Sequence, residues 1–140
     1  MKNLVYIFSI LLLLLPISCD KEREHPVPFV HVDFHIRIGT TQYIELNHIT
    51  GYAYFTGGWR GIIVYRSAET EFKAYDRSCP FHPYEDNAFV RVDQDWLATC
   101  PECSSMFELN FGSVVDGPSK HPLREYRTFF NYPDLQVTSY

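Results

Sequence analysis

Two short loops hold the residues best suited to chemistry: Cys79-Pro80-Phe81-His82 and Cys100-Pro101-Glu102-Cys103, with seventeen residues between His82 and Cys100. Each loop offers two soft or borderline donors within four residues, so that both side chains can point at one ion. A disulfide framework accounts for them less well. Apart from Cys19 the chain has three cysteines, an odd number, and a bridge across the two-residue gap from Cys100 to Cys103 is strained and reactive. With His82 added, Cys79, Cys100 and Cys103 form a Cys3His set. Such a set completes either a tetrahedral zinc site or the terminal ligands of a two-iron cluster.

No second chemistry competes. The sequence contains no phosphate-binding loop, no Ser-His-Asp arrangement and no spaced carboxylate pair, and Glu85 and Asp86 read as solvated loop residues. His31 and His35 stand on the polar side of an alternating run and read as solvated too. The formal net charge of −5, with no basic stripe, argues against a nucleic-acid partner.

The elements that must position the loops are strands. Ten Tyr, eleven Phe, nine Pro and seven Gly in 140 residues favour sheet over helix bundle. From Phe29 to Ile38 the chain alternates cleanly, with Val30, Val32, Phe34, Ile36 and Ile38 on one face. Further strands are expected at Gln42–Leu46, Tyr52–Phe55, Ile62–Arg66 and Glu71–Asp76. Two hairpins follow, Ala88–Asp93 with Trp96–Thr99 and Met106–Leu109 with Ser113–Val115, and then a last pair, Thr128–Asn131 and Leu135–Thr138. The spacing predicts one all-β domain.

Residues 1–18 read as a targeting signal: Lys2, then an apolar run from Leu4 to Leu15, too short for a membrane span of about 20 residues. Ser18-Cys19 resembles the cleavage site of a bacterial lipoprotein, with Cys19 as the lipidated residue, although Pro16 stands where that pattern usually has Leu. Residues 19–28 are then a lipidated cysteine and flexible tether, leaving residues 29–140 as the folded domain. This reading implies a cell-envelope protein, held to the outer membrane or facing the periplasm, that meets the membrane through its lipid alone.

Residues 79–126 resemble a Rieske iron–sulfur domain, whose loops run Cys-x-His and Cys-x-x-His. Phe107-x-Leu109, Gly112-x-Val114, Gly117-Pro118 and Pro122-Leu123-x-x-Tyr126 match the second hairpin and the proline loop that covers the cluster in that family. Ser105 falls where many members place a serine that hydrogen-bonds a cluster sulfur. The resemblance implies an all-β, Rieske-like fold of stacked antiparallel sheets with two metal-binding loops, the cluster-binding part spanning about 76–126. Two departures stand out. Phe81 occupies the family's first histidine position, leaving His82 as the nearest imidazole, and Cys103 replaces the second histidine.

By analogy Cys79 and Cys100 would hold the inner iron of a [2Fe-2S] cluster, His82 and Cys103 the outer one, with Ser105 and Pro118 contacting or shielding the cofactor. A thiolate in place of an imidazole would lower the potential towards roughly −400 mV, the plant-type ferredoxin value. The implied activity is electron transfer to a redox partner protein, and the chain is too short for the mononuclear-iron domain of an oxygenase. The alternative is a binding or structural module of the same fold with one zinc ion or no metal. In its favour, the first residues carry no arginine pair, as a signal for export in the folded state would, and a chain threaded unfolded acquires zinc more easily than a preassembled cluster.

Overall fold

The computed structural model describes residues 24–139; the targeting signal and Cys19 lie outside the described residues. Ten strands occur in chain order: β1 (Asp33–Arg37), β2 (Tyr52–Phe55), β3 (Ile62–Ala68), β4 (Glu71–Asp76), β5 (Arg91–Gln94), β6 (Leu97–Thr99), β7 (Met106–Glu108), β8 (Val114–Asp116), β9 (Glu125–Asn131) and β10 (Asp134–Thr138). They form a six-stranded sheet in the order β1-β10-β9-β4-β3-β2 and a four-stranded sheet in the order β5-β6-β7-β8. Every pairing is antiparallel.

The alternation of β1 does what its sequence requires. Val32, Ile36 and Ile38 are buried while His31, Asp33, His35 and Arg37 stay exposed. Strands β3 and β4 are buried on both faces, and this decides the architecture. Ile62, Val64, Phe72 and Ala74 point into one core with Leu135 and Val137. Ile63, Tyr65 and Tyr75 point the other way, into a second core shared with Ala98, Phe107, Leu109 and the thiols of Cys79 and Cys100. Burying one such large apolar side chain stabilises the fold by about 1.5–3 kcal/mol, so the second core fastens the small sheet to the large one. The cysteine loops therefore sit on a packed platform.

One expected strand is absent. Residues 42–46 lie within a 3-10 segment, Thr41–Asn47, broken at Tyr43. A strand here would put Ile44 and Leu46 on one face, but Ile44 is exposed and Leu46 buried. Tyr43 and Leu46, three residues apart, share the buried side instead, which is the 3-10 period. Part of the expected tether lies among the described residues. Its described part, residues 24–28, is docked: Val27 is fully buried and its carbonyl accepts the Arg124 Nε–H at 2.9 Å.

Candidate metal centre

The first loop leaves β4 under the control of Asp76, a fully buried carboxylate. Its Oδ1 accepts the amides of Ser78 at 2.8 Å and Arg60 at 3.2 Å. Its Oδ2 accepts the Trp59 amide at 2.5 Å and the Tyr126 hydroxyl at 2.8 Å. Gly58 is required here, because its φ is +61° and a Cβ would run into the Asp76 carboxylate and the Tyr126 hydroxyl. The turn so anchored grips the far side of the loop. Trp59 Nε1 donates to the Pro83 carbonyl at 2.6 Å, and the Arg60 guanidinium reaches the Tyr84 carbonyl at 3.1 Å and Asp86 at 3.0 Å. Cys79 itself donates its amide to Ala88 and accepts the His82 amide on its carbonyl, closing a turn.

The second loop is a tighter device. The Cys100 amide donates to the Ser105 carbonyl and the Ser104 amide donates back to the Cys100 carbonyl, both at 2.9 Å. Ser104 adopts φ +58°, and the reversal brings Cys103 round towards Cys79. A third loop closes over the second. Gly117, at φ +94°, comes so near that a Cβ would lie 2.5 Å from Ser105 Cα. One step on, the Ser119 amide donates to Ser105 Oγ at 3.1 Å. Pro118 is exposed on the outside of this loop.

These loops bring together three of the four expected metal ligands. The sulfurs of Cys79, Cys100 and Cys103 all lie within 4.8 Å of one another, and those of Cys79 and Cys103 are 3.6 Å apart. His82 stands outside that group. It is half-buried, with its ring edge against Phe81 at 4.5 Å between centroids. Cys79 and Cys100 are fully buried and Cys103 is half-buried. Ser105, itself fully buried, has its Oγ 3.1 Å from the Cys103 sulfur.

The thiols differ in acidity for physical reasons. Burial pushes the Cys79 thiol well up, against the pull of the Phe81 amide, and burial likewise raises Cys100. Burial also raises Cys103, but hydrogen bonds with the Ser105 hydroxyl and amide, together with those from the Cys79 and Cys100 thiols, overcome it and leave that thiol below its usual value. A metal arriving here would displace the protons that the two buried thiols hold tightly.

Three converging thiols suit a thiophilic metal. Around one tetrahedral ion with metal–sulfur bonds of about 2.3 Å, sulfurs stand about 3.8 Å apart, close to the Cys79–Cys103 separation. The burial gradient suits a two-iron cluster, with two enclosed thiols on one side and the half-buried Cys103 and His82 on the other, although the 3.6 Å between the Cys79 and Cys103 sulfurs is a one-ion spacing.

The supports were less legible than the cysteines. Asp76, Trp59 and Arg60 carry no motif, although Asp76 shares a strand face with Phe72 and Ala74, and a carboxylate on an apolar face signals a buried hydrogen-bond hub. Ser119 left no signal.

No family model matches the sequence and no curated protein matches it. Solved structures do. The ferredoxin of carbazole 1,9a-dioxygenase from Nocardioides aromaticivorans IC177 is 17% identical at a TM-score of 0.49, covering 74% of this chain and 95% of that one. A chain from the complex of reduced oxygenase and oxidized ferredoxin in carbazole 1,9a-dioxygenase is 14% identical at 0.52, covering 75% and 93%. A chain from a carbazole-bound oxygenase–ferredoxin complex is 11% identical at 0.54, covering 81% of this chain and 30% of that one. The two matches above 0.5 establish the class: an all-β protein of Rieske-like fold. Within it, this chain gathers three thiols where two loops meet.

Proposed function

We propose that this chain is a lipid-anchored metalloprotein of the cell envelope that relays single electrons to a protein partner through a [2Fe-2S] cluster. The observation that carries the reading is the convergence of Cys79, Cys100 and Cys103 at the loop tips of a fold that ferredoxins share. Cys79 and Cys100 hold the enclosed side of the centre, Cys103 and His82 the side facing solvent. A [2Fe-2S] cluster supplies a reversible one-electron couple when bound. The chain's own residues do the rest. Tyr75 and Phe107 close the second core beneath the buried thiols and exclude water from below. The Cys103 thiol donates to Ser105 Oγ; with the thiol proton displaced by a metal the same hydroxyl would donate to the sulfur, and the Pro118 loop shields that bond from above. Asp76, Trp59 and Arg60 fix the loop that carries His82 to the sheet. The solvent side is where a partner would approach, and one structural neighbour comes from a complex of an oxygenase with a ferredoxin. Cys19 anchors the whole to the membrane.

One specific observation favours a second reading. The Cys79 and Cys103 sulfurs stand 3.6 Å apart and all three sulfurs lie within 4.8 Å, which is nearer the spacing of thiolates on a single ion than that of thiolates that would sit on the two irons of a cluster. Under this reading the chain is a zinc module with no electron to move. Visible spectroscopy separates the two. The full chain, purified anaerobically, is expected to be coloured, to bleach on one-electron reduction and to recover on reoxidation. A colourless protein sinks the electron-transfer reading. Colour that persists unchanged in His82→Ala removes His82 from the ligand set.

A further inference from the structure

We propose a second chemistry for the same three thiols, one that depends on no bound metal: the metal-free chain reacts with external disulfides and stores the result as an internal Cys79–Cys103 bridge. Three observations carry this. The two sulfurs are already in contact at 3.6 Å. Only Cys103 is open enough to meet an incoming disulfide, because Cys79 and Cys100 are fully buried. Ser105 Oγ, which accepts the Ser119 amide, also accepts the Cys103 thiol at 3.1 Å, so that once this thiol has lost its proton the hydroxyl stands ready to donate its own hydrogen to the sulfur.

The steps balance as a disulfide exchange. The Cys103 sulfur, having given up its proton, attacks one sulfur of an external disulfide. A mixed disulfide forms and the other external sulfur leaves as a thiolate. Cys79, from within contact distance, loses its proton and attacks the Cys103 sulfur. The second external thiolate departs, and the Cys79–Cys103 bond closes. Two protein thiols are oxidised by two electrons and one external disulfide is reduced to two thiols. Cys100 is left as the free thiol. Its alternative bridge, to Cys103, would close a small strained ring inside the turn that the Ser104 amide already ties to the Cys100 carbonyl.

The consequence is a gate. Cys79 and Cys103 are both metal ligands in the reading above, so the bridged chain cannot load its centre until a reductant reopens it. In an oxidising compartment the bridge also spares the thiols from irreversible oxidation.

The test uses the full chain, reduced, freed of metal by a chelator and then exposed anaerobically to glutathione disulfide, with bonds mapped by mass spectrometry of unreduced peptides. The expected result is one internal bridge joining the Cys79 and Cys103 peptides, with Cys100 alkylated as a free thiol. Cys79→Ser should trap the intermediate, accumulating glutathione on Cys103, and Ser105→Ala should slow the first step several-fold. Zinc or iron uptake should vanish on oxidation and return with dithiothreitol. A bridge mapped to Cys100–Cys103, or glutathione held stably on wild-type Cys103, overturns the proposal. Its failure is separable from that of the metal reading, since a reduced chain that takes up neither zinc nor iron leaves the bridge prediction standing.

Discussion

Asp76→Asn is the substitution that best tests how the site is held. The carboxylate is fully buried and takes four donors, two on each oxygen: Ser78 and Arg60 amides on Oδ1, the Trp59 amide and Tyr126 hydroxyl on Oδ2. An amide keeps one acceptor oxygen and turns the other position into a donor. If the nitrogen takes the Oδ1 position, two backbone N–H groups face it and lose their acceptor. If it takes the Oδ2 position, the Tyr126 hydroxyl can rotate to accept, and only the Trp59 amide is orphaned. The second arrangement is cheaper and sets the expected cost. A hydrogen bond to a charged group contributes about 1.5–3 kcal/mol, and the remaining bonds weaken when the acceptor becomes neutral, so the loss should be about 2–4 kcal/mol. That is a large part of the roughly 5–15 kcal/mol that stabilises a domain. Equilibrium urea unfolding, followed by tryptophan fluorescence, reads it as a fall in midpoint at constant slope. Combined with Tyr126→Phe, the double-mutant cycle should show coupling, because the two groups share a bond. A loss below about 1 kcal/mol would refute the placement of Asp76 as the hub of the first loop.

Other substitutions discriminate between supports. Tyr75 and Tyr126 are both buried, but Tyr75 Oη has no hydrogen-bond partner while Tyr126 donates to Asp76; Tyr75→Phe should leave stability unchanged or raise it by up to about 1 kcal/mol, and Tyr126→Phe should lower it by about 1.5–3 kcal/mol in urea melts. Burial holds both phenols well above their ordinary pKa, so the folded chain keeps protons that the unfolded chain loses. Stability should therefore be complete below about pH 10 and fall above it, by about 1.4 kcal/mol per pH unit for each phenol, as urea midpoints between pH 9 and 11.5 would record. Gly117→Ala combines a left-handed φ of +94° with a Cβ 2.5 Å from Ser105 Cα, and should cost about 2–4 kcal/mol and lower metal occupancy at saturating metal. Ser105→Ala removes the acceptor of the buried Ser119 amide and of the Cys103 thiol, and with it the hydroxyl that would donate to a metal-bound Cys103 sulfur; thermal melts should show a loss of about 1–3 kcal/mol, and the potential of a loaded cluster should fall by about 40 mV for each 1 kcal/mol of hydrogen bonding lost from its reduced state.

The strands were legible because burial writes a period into sequence. The run from Phe29 to Ile38 faces its core as the alternation requires, and Glu71–Asp76 is β4 residue for residue. Tyr75 shows where alternation is incomplete. A two-residue period sets it with Glu71 and Lys73, yet it is fully buried, because β4 is covered by a second core that only tertiary packing reveals. Residues 42–46 failed for a related reason. Two apolar residues two apart mimic a strand, and nothing local says that no neighbour will be there to pair with it.

At the site, the grouping of the cysteines was readable and its geometry was not. Residue types at short spacing nominate Cys79, Cys100 and Cys103, and the three sulfurs do converge. Their mutual distances depend on the reversal at Ser104 and on the clamp from Gly58 through Asp76 to Trp59, where each contact spans elements far apart in sequence. The His82 ring rests on Phe81, a side-chain choice that spacing cannot express.

Metal and acid-labile sulfide counted together test the central claim most directly. The full chain, isolated from cells grown with iron and kept anaerobic, should contain two irons and two sulfides per chain and negligible zinc. One zinc per chain with no sulfide would contradict electron transfer and leave a Rieske-like fold built around a single ion.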